Sequence, residues 1–311
     1  MSGPEDEALL ALLRALEARD YRFVTPTPAT HARVLARPDR RRARSLRDVL
    51  GWSLPFDRDL LEPDLLDLLA RGGVLAETEA GLKSRLRVSS MDGGLFLHSA
   101  YPTDEEDAVF FGPDSYRFAA FIAAEIGGAG AQPLRVVDIG AGSGVGALVT
   151  ARLAPKARAT LSDVNPAALR LARINAAFAG VEVETVTTEG FDGLDGPWDL
   201  VLANPPYIAD AAGRDYRDGG DMHGGRLSLD LARQAAGRLA PGGQLLLYTG
   251  AAIVEGRDAL RAALEPAMAA AGCRLRYREL DPDVFGEELE KPPYADVERI
   301  AAVGAVAVKG P

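Results

Sequence analysis

Cysteine is nearly missing from this chain of 311 residues. Cys273 stands alone, which excludes an intramolecular disulfide and any multi-cysteine metal site. Histidine is scarce too: His31, His98 and His223 follow no metal-ligand spacing, and each reads as a surface or loop residue. No metal is expected. No apolar run has the length to cross a bilayer. The opening MSGPEDEALLALL is acidic where a secretory signal would be basic, so a cytoplasmic protein is expected. An excess of positive charge is also lacking, since the formal net charge of −10 argues against broad contact with phosphate backbones. What is present, 47% hydrophobic and 26% charged residues, is the composition of a folded globular chain. The length suits one large domain or two ordinary ones. No internal repeat or low-complexity segment interrupts it.

One stretch departs from the acidic balance. Arg37 to Arg47 (RPDRRRARSLR) holds six arginines in eleven positions. It reads either as a solvated loop or helix face, or as a local patch for an anionic partner such as RNA.

The pattern changes near residue 105. Beyond it strand and helix signals alternate: strands over Leu134–Asp138, Arg158–Ser162, Val181–Val186, Trp198–Ala203, Gly243–Thr249, Cys273–Leu280 and Ala301–Val308. Helices are expected over Ala147–Leu153, Pro166–Phe178, Leu227–Leu239 and Arg257–Ala270. That alternation predicts an α/β domain over 106–311, a Rossmann-like, mostly parallel sheet of seven strands with helices on both faces. No helix separates the last two strands, so an antiparallel hairpin is expected at the sheet edge. Residues 1–105 read as a smaller α+β domain, winged-helix-like or merely accessory. It has helices over Glu5–Arg19 and Pro63–Arg71, then strands over 74–78, 82–90 and 94–99. The turn Met91-Asp-Gly-Gly94 signals a hairpin.

The chemistry begins at Val137-Asp138-Ile139-Gly140-Ala141-Gly142-Ser143-Gly144, where a strand must turn sharply into a helix. Glycines there permit positive φ and let a ligand approach the backbone. Gly142 to Ala147 even fits the relaxed dinucleotide pattern, so the turn alone leaves dinucleotide and S-adenosylmethionine both open. Asp138 separates them. A carboxylate at the strand end suits the cationic amino-acid end of S-adenosylmethionine and repels a pyrophosphate. Asp163 ends the second strand, placed to grip ribose hydroxyls. Its alternative role, capping the next helix, falls more naturally to Asn165 before Pro166.

Asn204-Pro205-Pro206-Tyr207 follows the fourth strand, on the same sheet edge as the glycine turn. An amide or aromatic amine is a poor nucleophile because its lone pair is delocalised. Two acceptors against its two N–H bonds push electron density back onto nitrogen. The Asn204 side-chain oxygen and the Pro205 carbonyl can be those acceptors. Pro205 and Pro206 carry no N–H to compete, and Pro206 biases Pro205 toward an extended backbone. Tyr207 offers a flat face to a planar acceptor. Read in isolation the tetrapeptide is only a turn leaving a strand. Behind the glycine turn and an acid-ending strand it reads as an acceptor site.

With these motifs in place, residues 134–250 resemble the catalytic domain of class I methyltransferases. The pattern is closest to the HemK/PrmC family, the protein-glutamine N5-methyltransferases that act on release factors. The resembling stretches are VVDIGAGSG (136–144), LSDVNPAALRLARINA (161–176), EGFDGLDGPWDLVLANPPYI (189–208) and LAPGGQLLLYTG (239–250). The resemblance implies a cofactor loop at Asp138, Gly140, Gly142 and Gly144, and ribose-side contact at Asp163 and Val164. It implies adenine-side contact at Glu189 and Phe191, and amide binding by Asn204, Pro205, Pro206 and Tyr207, with Asn204 also bordering the cofactor. On the residues alone, Glu189 also reads as an exposed loop acid and Phe191 as a core aromatic. Phe110 to Tyr116 stands where that family has a Pro-Arg-Pro-Glu-Thr segment covering the cofactor, which points to Phe111 and Pro113. Only its Pro-acid-hydroxyl core is similar, and it also reads as the start of a helix running to Ile126. The first 105 residues do not resemble the family's helical substrate domain.

The first expectation is therefore an S-adenosylmethionine-dependent N-methyltransferase acting on a macromolecule, a protein glutamine amide foremost. Methyltransferases of exocyclic base amines in RNA or DNA share the same core and tetrapeptide. A small-molecule acceptor and a silent binding module are the remaining readings. A dinucleotide oxidoreductase explains neither Asp138 nor the tetrapeptide. The loop Asp218 to Gly225 (DGGDMHGG) reads as a glycine-freed lid or as a plain connection.

Overall fold

The computed structural model describes residues 3–103, 105, 107–127, 134–209 and 219–311. Glu106, at the expected domain boundary, and Asp218, at the start of the expected lid, lie outside them. In chain order the helices and strands are α1 (Pro4–Glu17), α2 (Pro28–Leu35), α3 (Leu46–Leu50), α4 (Pro63–Arg71), β1 (Leu75–Thr78), β2 (Gly81–Ser84), β3 (Leu86–Met91) and β4 (Gly94–Ser99). Then come α5 (Pro113–Ile126), β5 (Arg135–Ile139), α6 (Val145–Leu153), β6 (Arg158–Asp163), α7 (Pro166–Ala179), β7 (Val183–Thr187) and β8 (Trp198–Ala203). The chain ends with α8 (Arg226–Ala236), β9 (Leu239–Val254), β10 (Arg257–Asp258), α9 (Ala259–Ala270), β11 (Cys273–Asp281) and β12 (Arg299–Lys309). Two compact units result. The first takes Met1–Tyr116 with Gly142–Gly144 and Asn165–Glu182, so α7 belongs to it; the second takes the rest.

In the first unit, α1 starts on Glu5, Asp6 and Glu7, acids that suit a helix N-terminus, and buries Leu9, Leu12, Leu13 and Leu16. These side chains share a core with Phe23, Phe56, Leu69, Val88 and Leu97, and with Ala168, Leu171 and Ile174 of α7. Met91-Asp-Gly-Gly94 is the expected hairpin: Asp92 and Gly93 have φ of 49° and 78°, the paired positive values of a type I′ turn. The single strand expected over 82–90 is in fact two, β2 pairing with β1 and β3 with β4. The break is made at Ser84, whose hydroxyl accepts from Leu86 N–H and donates to Leu86 C=O, while Arg85 N–H turns away to Val74. The histidines correct the sequence reading as well. His31 and His98 are fully buried, not surface residues. His31 lies between Trp52 and Tyr101, and burial lowers its pKa to about 4. Burial holds His98 well below the ordinary histidine value too.

The second unit is built on a sheet ordered β11-β12-β9-β8-β5-β6-β7, with β10 appended to β9. From β7 to β9 the pairings are parallel, and β12 runs antiparallel between β9 and β11. The edge hairpin was thus legible, and the last strand enters the sheet rather than closing its rim. Residues 136–139, 200–203 and 245–251 are buried in unbroken runs, the mark of strands covered on both faces. The helix expected from Arg257 begins at Ala259 instead. Glu255 and Gly256 form another turn with positive φ, Arg257 pairs with Val254, and Asp258 caps α9 through Arg261 N–H at 2.8 Å. Among the described residues no helix is long and apolar enough to cross a membrane.

Candidate active site

Strand order places the site. From β5 the chain crosses to β6 on one side, and β8 lies on the other, so β5 and β8 form the point where the order reverses. Ile139 is level with both Ser162 and Ala203 in the parallel register. The residues that follow, Gly140 and Asn204, therefore leave adjacent strands at one height.

The glycine turn is built as its sequence requires. Gly140, Gly142 and Gly144 have φ of 66°, 54° and 85°, values that L side chains rarely adopt. A Cβ at Gly140 or Gly142 would meet no atom within 4 Å, so the space beside them is open. In the first unit, Asn175 Nδ2 donates to the Ser143 carbonyl at 3.0 Å and fixes the middle of the turn.

Asp138 is only 2% exposed. Its Oδ2 accepts the Ala147 N–H at 2.9 Å, so the side chain is turned toward the start of α6. The carboxylate lies over Gly146, where a Cβ would approach Oδ2 to 2.6 Å. Oδ1 accepts no hydrogen bond among the described residues. Burial raises the pKa from 3.8 to about 7, against the Ala147 hydrogen bond that lowers it and with a smaller push from Asp163. Asp163, half-buried, continues the strand end, with its carbonyl accepting Thr188 N–H at 3.1 Å. The cap of α7 is Asn165, which accepts Ala167 N–H at 2.9 Å. Val164 is 49% exposed, one of few solvent-facing large aliphatics among the described residues. Glu189 is exposed, whereas the Phe191 side chain belongs to the core, with the Arg238 guanidinium 5.1 Å above its ring. Phe111 and Pro113 belong to the first unit. Phe111 is buried against Phe96, His98 and Tyr116, and Pro113 opens α5.

After β8, Asn204 is half-buried and Pro205 buried. Neither the Asn204 side chain nor the Pro205 carbonyl is hydrogen-bonded among the described residues. Tyr207 anchors the loop. Its ring is 7% exposed, meets Phe285 edge-on at 5.9 Å, and lies where a Cβ on Gly250 would come within 2.2 Å. The ring is thus largely enclosed by its own fold. Gly219 to Gly225, read as freely moving, packs on the same backbone. Gly219 N–H donates to Ile208 C=O at 2.8 Å, and a Cβ on Gly224 would lie 2.3 Å from the Tyr207 carbonyl oxygen. These glycines serve close approach.

The sequence reading missed the connector between β11 and β12. Tyr294, 1% exposed, accepts Ala209 N–H on its hydroxyl at 2.7 Å and reaches the His223 carbonyl at 3.5 Å. Phe285 holds a left-handed backbone, φ 56°, uncommon for an aromatic residue. A second Pro-Pro-Tyr at 292–294 was the available signal.

Comparison with known proteins agrees with this geometry. Residues 130–270 match the methyltransferase small domain family. The release factor glutamine methyltransferase of Deinococcus radiodurans is 38% identical over 164 residues, 50% of this chain and 55% of the relative. The ribosomal RNA small subunit methyltransferase C of Serratia proteamaculans is 41% identical over 73 residues, 24% of this chain and 21% of the relative. The chain thus spans about half the length of the first relative and a fifth of the second. Among solved structures, a Pyrococcus horikoshii protein described as a transferase superposes with a TM-score of 0.51 at 12% identity, over 79% of this chain and 83% of that one, which shows the fold. Sheet order, glycine turn and family match thus agree that residues 130–270 are similar to the methyltransferase small domain.

Proposed function

We propose that the chain is an S-adenosylmethionine-dependent N-methyltransferase whose acceptor is a planar nitrogen in a macromolecule, first of all a protein glutamine side-chain amide. The observation that carries this reading is a pair of acceptors, Asn204 Oδ1 and Pro205 C=O, at the height of the glycine turn and without a hydrogen bond among the described residues. The residues fit the cofactor. Asp138 is a buried carboxyl group whose Oδ1 accepts no hydrogen bond among the described residues, and it is suited to an ammonium group. The open side of Gly140 and Gly142 admits a ligand against the backbone, and Asp163 and Val164 offer an acid for ribose and an apolar surface for adenine. The bound cofactor would supply an electrophilic methyl group. Asn204 and Pro205 hold the two amide hydrogens and aim the nitrogen lone pair at that carbon. With the cofactor bound, the amide nitrogen held by Asn204 and Pro205 would take up the methyl group and give up one of its two hydrogens as a proton. In this reading Tyr207 holds the loop in place and leaves acceptor recognition to the two residues before it.

Glutamine ranks above a base amine because the similarity to the release factor enzyme runs over more than twice as many residues as that to the ribosomal RNA enzyme. The base-amine reading is favoured by the arginine stretch of the first unit. Incubation with radiolabelled S-adenosylmethionine and a cell extract separates the two. Label released by protease supports glutamine, and label released only by nuclease makes a base amine the acceptor. Asn204→Ala should reduce labelling at least about a hundredfold while cofactor affinity stays within about threefold, since the group removed acts chiefly on the acceptor. Full labelling by this variant would end the acceptor role of Asn204.

A further inference from the structure

The arginine stretch is a solvated loop, and one pinned in place. Asp48, buried, accepts from Arg40 Nη1 at 2.9 Å and from the Arg44 N–H at 3.0 Å. Ser45 caps α3 by accepting Asp48 N–H at 3.2 Å, and Ala43 N–H donates to Pro55 C=O at 2.9 Å. So pinned, the run surrounds a cleft of about 400 Å³ lined by Asp39, Arg40, Arg42, Arg44, Arg47 and Trp52, with Ser45 and Asp48. From Tyr21 to Arg47 the sequence holds eight arginines and one carboxylate, Asp39. Asp48 neutralises Arg40, and Asp57 neutralises Arg42. Arg44 and Arg47 are exposed and have no carboxylate partner among the described residues. Arg47 lies 5.6 Å above the Phe23 ring, which fixes its place without cancelling its charge. Uncancelled guanidiniums gathered in a concave surface focus a positive potential. Their planar forks match phosphate oxygens, and a half-buried tryptophan beside them suits a base.

We propose that this cleft binds the phosphodiester backbone of a single-stranded nucleic acid, with Arg44 and Arg47 as the phosphate contacts and Trp52 as the base contact. A chain of net charge −10 repels a broad polyanion, so the footprint is local, and a single strand can enter where a duplex cannot. This goes beyond the methyl-transfer reading and needs neither cofactor nor acceptor.

The test is fluorescence anisotropy of the full chain with labelled oligouridylate and oligothymidylate at several salt concentrations. With two phosphates engaged, log affinity should fall against log salt with a slope of about −1.4. Arg44→Glu with Arg47→Glu should weaken binding at least about tenfold and flatten that slope, and Arg44→Gln with Arg47→Gln should do so less. Arg257→Glu with Arg274→Glu makes the same charge change in the second unit and should leave affinity within about threefold. Tighter binding of either oligonucleotide identifies RNA or DNA as the natural strand and supports the proposal. Absence of binding at low salt overturns it, as does equal loss in the control pair. Unchanged binding by the glutamine pair, with an intact circular dichroism spectrum, also overturns it. Displacement of the oligonucleotide by inorganic phosphate at constant ionic strength would mark a free-phosphate site instead.

Discussion

Gly140 and Gly142 would have room for a side chain, with no atom within 4 Å of a Cβ, whereas Gly250 would press one to 2.2 Å from the Tyr207 ring. The two loops they serve leave neighbouring strands, β5 and β8, at one level. In the first loop glycine supplies a left-handed backbone and leaves one side open. In the second, glycine supplies space inside the fold, which the buried Tyr207 ring fills. The same residue type thus marks a surface to be approached in one loop and a surface already occupied in the other. The buried groups differ as well: the first loop encloses a carboxylate, the second an aromatic ring.

The largest expected effect tests the carboxylate. Asp138 is a burial-raised acid, with its folded pKa of about 7 above its ordinary 3.8. The folded state then holds a proton that the unfolded state has released. The stabilisation is complete below about pH 4 and is lost as pH rises through about 7, up to about 4 kcal/mol in all. Asp138→Asn removes this dependence. Urea unfolding of both proteins without cofactor, at pH 5 and pH 8, should show wild type losing stability relative to the variant. Parallel profiles would mean that Asp138 is not held up by burial. Cofactor affinity should fall most in the variant above about pH 7, where wild-type Asp138 carries an anionic oxygen that the amide lacks.

Next in size is the ring of the second loop. Gly250→Ala should destabilise by about 2–3 kcal/mol, because its methyl group overlaps a packed ring in the middle of β9. In a Tyr207→Ala background the same change should cost little, and the double-mutant cycle isolates the contact. Additive losses would place the strain of Gly250→Ala elsewhere.

How far the sequence revealed this contrast depended on the range of the signal. The glycine turn, Asp138 and the tetrapeptide were legible because each is a short run beside an apolar strand, and strand order then brings their ends together. Asn165 as the cap of α7 was legible for the same local reason, a cap residue before proline. The roles of Gly219, Gly224 and Gly250 were not, since close approach is a property of the partner backbone or ring and leaves no mark in the glycine's own neighbours. Phe285 and Tyr294 reach the loop from more than seventy residues away, and only a repeated Pro-Pro-Tyr hinted at them. Burial of His31 and His98 was hidden as well, because a polar ring carries no periodic signal of its own.

A smaller effect separates backbone from space. Gly142→Ala meets no neighbour, so its cost is that of one left-handed L residue, about 1–2 kcal/mol. Asn, which visits that region more readily, should recover part of the loss. Calorimetric titration with S-adenosylmethionine should nonetheless show affinity at least about tenfold lower for both variants, because either side chain fills the open side. Unchanged affinity would mean that the ligand does not approach this face.

The smallest change sharpens the contrast furthest. Tyr294→Phe removes one hydroxyl, leaves the ring, and strips Ala209 N–H of its acceptor. The stability cost should be about 1 kcal/mol, the worth of one partly buried hydrogen bond. Its functional effect should be the mirror image of Gly142→Ala. Ala209 lies two residues beyond Tyr207, so loosening it frees the tetrapeptide and leaves the turn after β5 untouched. Turnover on labelled extract should fall several-fold while cofactor affinity stays as in wild type, whereas Gly142→Ala lowers affinity first. A merely structural role for Tyr294 would lower both together in proportion to unfolding, and thermal melting in the presence of cofactor distinguishes the two. If Tyr294→Phe weakened cofactor binding as much as turnover, the two loops would act as one body, and the division of labour drawn between them would fail.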